Sequence, residues 1–164
     1  MIFKKFFIVV VSLFIFNPVF ALDKDLGVSK RFNMHMYKQD EQTICNLYSS
    51  PITQSTPYRG TNVKLHITNR PQKNHRHKLS INMGINVNTK KPILVMIDDK
   101  KYTFFAYKNF IFPYNKDEKR IIRDMRRARK LIIKIYDNND KLITDEYSLY
   151  GLIQAISIID RACR

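Results

Sequence analysis

Beyond residue 21 the chain has no apolar stretch long enough to cross a bilayer, a span that takes about 20 apolar residues. It also has no internal repeat, low-complexity tract or linker composition, so residues 22–164 are expected to form one domain around a single core. No G-x-S-x-G, phosphate loop, dinucleotide fingerprint or H-E-x-x-H occurs. No catalytic residue, cofactor or metal site is therefore expected. Tryptophan is absent, and there are only two cysteines.

The one long apolar run lies at the start. Residues Met1 to Ala21 combine Lys4 and Lys5, an apolar segment from Phe6 to Phe16 broken only by Ser12, and a break at Asn17-Pro18. These are the three parts of a secretory signal peptide, and Val19 and Ala21 supply the small residues that place cleavage after Ala21. The mature chain is then periplasmic or secreted, with no transmembrane segment. Removal of Lys4 and Lys5 lowers the formal charge from +15 to +13. A charge that basic favours anionic partners such as lipid head groups and acidic glycans. Lys, Asn and Ile are abundant, however, and AT-rich codons supply all three, so composition by itself does not identify a ligand.

Export places Cys45 and Cys163 where disulfides persist. In Ile44-Cys45-Asn46-Leu47 a strand puts Cys45 on the face of Leu47. Leu152, Ile156, Ile159 and Cys163 share one side of a helix by their spacing. Both thiols face inward, and a structural bridge between them is expected. A catalytic thiol needs a low-pKa setting, which a helix C-terminus does not provide.

Period-two alternation predicts strands at 31–37, 42–48, 63–67, 79–87, 93–97, 102–107, 131–136 and 141–147. Turn formers mark loops at 49–60, Asp98 to Lys101 and Asp137 to Asp140. Helices are expected at about 117–130 and 149–162, the first a charged surface helix with Ile121, Met125 and Ala128 inward. Around eight strands and two short helices, without regular alternation, predict a mainly β chain. The expected form is an immunoglobulin-like antiparallel β-sandwich.

Candidate sites are few. His75 and His77 sit among Lys73, Arg76 and Lys78, which repel a cation, so a solvated loop is expected there and not a metal centre. Asp137 to Asp140 lacks the Gly and distal Glu of a calcium loop. Asp98, Asp99 and Asp145 become candidate carboxylates for an envelope-polymer hydrolase only if the fold assembles them. Arg123, Arg126, Arg127, Arg129 and Lys130 crowd the end of the first helix, where the macrodipole favours cations. They form a candidate anion-binding surface for lipid or glycan, while export argues against a specific nucleic-acid partner.

Val95 to Phe105 (VMIDDKKYTFF), Ile121 to Ile135 (IIRDMRRARKLIIKI) and Thr144 to Ile156 (TDEYSLYGLIQAI), with Cys163 beyond, resemble the invasion-associated locus B family of alphaproteobacterial exported proteins. Upstream, Cys45 to Pro51 (CNLYSSP), Ile67 to Pro71 (ITNRP) and Leu79 to Gly84 (LSINMG) look like that family's cysteine strand, T-x-R-P turn and S-x-x-x-G strand. The resemblance implies a small exported immunoglobulin-like sandwich associated with bacterial entry into host cells, and no catalytic site. The chain departs from the family in lacking tryptophan and in placing Asp137 to Asp140 where relatives have a Gly- and Ser-containing turn. The resulting expectation is a non-enzymatic exported protein that binds an envelope or host-surface partner, itself a protein or an anionic polymer.

Overall fold

The computed structural model describes residues 23–57, 59–60 and 62–164. The expected signal peptide, Met1 to Ala21, lies outside the described residues. The described residues form eleven strands, most of which alternate buried apolar with more exposed side chains. They are β1 (Asp23–Ser29), β2 (Phe32–Gln39), β3 (Gln42–Ser49), β4 (Thr53–Gln54), β5 (Lys64–Arg70), β6 (His75–Asn82), β7 (Ile93–Ile97), β8 (Lys100–Tyr107), β9 (Phe110–Pro113), β10 (Lys130–Tyr136) and β11 (Leu142–Ser148). Helices α1 (Asn115–Met125) and α2 (Leu152–Ala162) complete the chain.

All pairings are antiparallel, in the order β1-β2-β3-β5-β6-β9-β8-β7-β10-β11-β4. The last neighbour explains the architecture. Strand β4 hydrogen-bonds to β11 at the far edge, yet only residues 50–52 separate it from β3. Four backbone steps reach about 14 Å at most, so the β11 edge lies beside the end of β3 and the sheet folds over on itself. One core joins both halves: Phe32, Leu47, Leu65 and Ile81 pack in the same cluster as Val95, Ile133 and Ile143. The chain is thus a mainly β antiparallel sandwich with two short helices, as its periodicity predicts.

Helix α2 buries Leu152, Ala155, Ile156 and Ile159 against the β1–β3 end of the sheet. Immediately beyond it, Cys163 is bonded to Cys45 with Cα atoms 6.0 Å apart. With few glycines to hand, the hairpins place Asp40 and Glu41, Asp98 and Lys108 at positive φ. Each such residue costs roughly 1 kcal/mol or more, and the closing ladders offset it.

Three boundaries differ from expectation, and three strands are additional. Helix α1 stops at Met125, not near 130, because the N–H groups of Arg127 and Ala128 turn back to the carbonyls of Asp124 and Met125. The Asp98 carboxylate then takes the N–H groups of Arg129 and Lys130 at 3.2–3.3 Å, leading the chain into β10. The strand expected to reach Val87 ends at Asn82, since the Met83 N–H leaves the ladder for Asn109. The expected loop around His75 to Lys78 is instead the start of β6. Strands β1, β4 and β9 are additional.

Candidate functional site: a basic groove between β6 and α1

Helix α1 is amphipathic in an unusual sense, because two of its inward positions are carboxylates. Ile121, Ile122 and Met125 enter the core alongside Glu118 and Asp124. Glu118 accepts the Leu79 N–H at 3.0 Å and the Lys78 ammonium. Asp124 accepts the Tyr102 hydroxyl, and Lys100 sits 3.0 Å away. The Tyr102 hydrogen bond holds the Asp124 carboxyl below the usual range despite its burial, while desolvation and that same carboxylate raise the phenol. Charge-assisted bonds of this kind are worth about 1.5–3 kcal/mol each and fix the helix against β6 and β8.

With Glu118 and Asp124 turned inward and Asp117 paired to Arg120 on the surface, α1 presents cations outward. Lys119 and Arg123 share one side of the helix by their i, i+4 spacing, and Arg126 and Arg127 follow in the turn that ends it, all four lining one groove. Across from them stand Arg76, His77 and Lys78 of β6, and Ile122 and Ile153 contribute the apolar lining. The groove encloses about 820 Å³. Six Lys and Arg side chains border it against one carboxylate, Glu118, which Lys78 already occupies. The β6 wall is positioned from α2: Asp160 meets His77 Nε2 at 2.8 Å and Asn69 Nδ2 at 2.8 Å, and Asn69 accepts the His77 N–H at 2.8 Å.

Of the residues anticipated as an anion-binding surface, Arg123, Arg126 and Arg127 line the groove. Arg129 and Lys130 do not. The early helix end carries them out of register, with Lys130 opening β10 opposite Ser148. Sequence reasoning missed Lys119, Arg76 and Lys78 as groove residues. The last two belong to the irregular start of β6, where His77 takes a positive φ and both side chains reach the groove.

Asp98, Asp99 and Asp145 are not assembled as a carboxylate pair. Asp98 caps residues 129–130, and Asp99 is exposed in its turn. Asp145 is buried against Arg59, where desolvation outweighs the guanidinium and raises its carboxyl. Asp137 closes its hairpin by accepting the N–H groups of Asn139 and Lys141. Among the described residues no three His, Cys, Asp or Glu side chains converge as metal ligands, and no helix is long and apolar enough to cross a membrane. No protein-family model, curated protein or solved structure matches the chain.

Proposed function

We propose that this chain is a non-enzymatic exported binding module, similar to invasion-associated locus B proteins, that engages a polyanionic envelope or host-surface partner through the β6–α1 groove. The observation that carries this reading is the segregation of charge. Glu118 and Asp124 of α1 are turned to internal contacts, and six Lys and Arg side chains border a concavity of about 820 Å³ whose lining holds one carboxylate, Glu118. Such a surface raises the local concentration of anions and steers their approach. The disulfide fits an oxidising compartment, and a role in host-cell invasion follows from the family resemblance.

Two measurements test it. Protein expressed from the full chain should be recovered outside the cytoplasm with Leu22 as its first residue; cytoplasmic recovery with Met1 retained would refute export. Affinity for polyanions should fall with salt and weaken in R123Q/R126Q/R127Q by about 3- to 100-fold, given about 0.2–1 kcal/mol per exposed charge. Equal binding by this variant and the wild type would exclude the groove.

A further inference from the structure

A second concavity adjoins the first. It encloses about 530 Å³ and shares Lys78, Asn115 and Glu118 with the basic groove, so the two form one continuous surface. Its character is different, because one wall is aromatic. Strand alternation sends Phe104, Ile111 and Pro113 toward the core and Phe105, Tyr107, Phe110 and Phe112 to the outer face. Phe105 stands opposite Phe112 in the β8–β9 register, with ring centroids 5.5 Å apart, and Tyr114 lies 5.3 Å from Phe105. Phe105 and Tyr114 are 40% and 44% exposed. The outer face of an antiparallel sheet is ordinarily polar, so contiguous exposed rings there mark a contact surface. Around the rings stand Arg70 and His75 and the neutral hydrogen-bonding groups of Thr68, Ser80 and Asn115.

A ligand that follows both concavities must carry anionic groups, flat apolar faces and hydroxyl-like partners along one extended molecule. A bilayer presents a plane, which does not enter a groove between a helix and a strand. An acidic peptide has the charge without the repeated flat faces. Single-stranded nucleic acid has both, but the Cys45–Cys163 bridge belongs to a compartment where polysaccharides are the abundant polyanions. We infer that the occupant is an acidic polysaccharide, with sugar rings laid on the Phe105–Phe112–Tyr114 ladder and its sulfate, carboxylate or phosphate groups in the β6–α1 groove. This rests on the groove being the binding site.

The test compares heparin, a sulfated polysaccharide, with inorganic polyphosphate, which has charge without rings, using the full-chain product. The F105L/Y114L variant keeps apolar area but removes two of the three flat faces, leaving Phe112. It should weaken heparin binding about three- to tenfold, the worth of an aromatic contact, and leave polyphosphate binding unchanged. R123Q/R126Q/R127Q should weaken both. F105L alone, a smaller change on an exposed strand position, gives the same readout if the double variant does not fold. Heparin binding that is unaffected by ring removal, or lost in parallel with polyphosphate, overturns the inference while leaving the basic groove standing. Ring-dependent binding of oligothymidylate tighter than that of heparin overturns it in favour of nucleic acid. Failure of the wild type to bind any of these polyanions removes the groove reading itself.

Discussion

Replacing Arg59 with methionine leaves the Asp145 carboxylate buried without its counter-charge, at an expected cost of about 3–5 kcal/mol. Arg59 sits in the crossover between β4 and β5 and is 8% exposed, and Asp145 on β11 is fully buried. The guanidinium bonds the carboxylate through Nη2, the Met83 carbonyl through Nη1 at 3.1 Å and the Thr56 carbonyl through Nε at 3.0 Å. One side chain thus ties the crossover to both halves of the folded-over sheet. Against a typical stability of about 5–15 kcal/mol, its loss consumes roughly a fifth or more of the total.

The pH dependence follows from the sign of the Asp145 shift. Burial already raises this carboxyl above its ordinary 3.8, and removing Arg59 raises it further. The native state then holds a proton that the unfolded state releases, so the deficit is small below 3.8 and grows as pH rises through the folded pKa. Urea unfolding of wild type, R59M, D145L and R59M/D145L at about pH 4 and about pH 7 measures both effects. The double variant should recover much of the loss, because it removes the charge together with its partner. A cost for R59M under about 1 kcal/mol at neutral pH, or one equal at the two pH values, would refute the reasoning.

Three further outcomes are expected. C45A/C163A should lose about 5 kcal/mol, the chain-entropy value for a bridge spanning 118 residues; an unchanged urea midpoint would show that the bridge constrains little. Burial, reinforced by Lys64, lowers His66 from 6.5 to about 4. The unfolded state therefore binds the extra proton between those values, and acidification across that window should destabilise by up to about 1.4 kcal/mol per pH unit. H66Q should abolish that slope, and an NMR titration midpoint near 6.5 would contradict it. At Gly84, with φ of 72°, a Cβ would lie 2.4 Å from the Arg59 carbonyl oxygen and 2.7 Å from Val63 Cγ2. G84A should cost roughly 2–4 kcal/mol. G27A, with nothing within 4 Å of its added Cβ, should cost only the roughly 1 kcal/mol of its positive φ, and calorimetry that reversed this order would be decisive against the packing argument.

Local periodicity exposed what local periodicity controls. Alternation at 42–48, 93–97 and 131–136 marked strands correctly, and the inward spacing of Cys45 and Cys163 anticipated their bond. What escaped depends on contacts distant in sequence. Strand β4 has two residues and exists because β11 offers an edge. The passage from α1 into β10 is held by Asp98, some thirty residues away, through the N–H groups of Arg129 and Lys130. Residues 23–29 have little apolar character of their own and become β1 through pairing with β2. The groove was half legible for the same reason: the cations of α1 are visible as a run, but Arg76 and Lys78 face them only because Glu118 reaches across to β6.

The arrangement of cations also bears on whether the charge has a use. Drift toward AT-rich codons supplies lysine, and over the whole chain lysine exceeds arginine by 18 to 11. Around the basic groove the ratio inverts: Arg76, Arg123, Arg126 and Arg127 outnumber Lys78 and Lys119. Arginine's planar, five-donor fork matches sulfate, carboxylate and phosphate in pairs of hydrogen bonds, which an ammonium cannot do. Compositional drift has no reason to concentrate arginine in one concavity or to turn the neighbouring carboxylates inward. On the proposed function an anionic ligand accounts for the arginines, so R123K/R126K/R127K, which conserves every charge, is expected to bind heparin more weakly than the wild type. Equal affinity would return the groove's charge to an accident of composition.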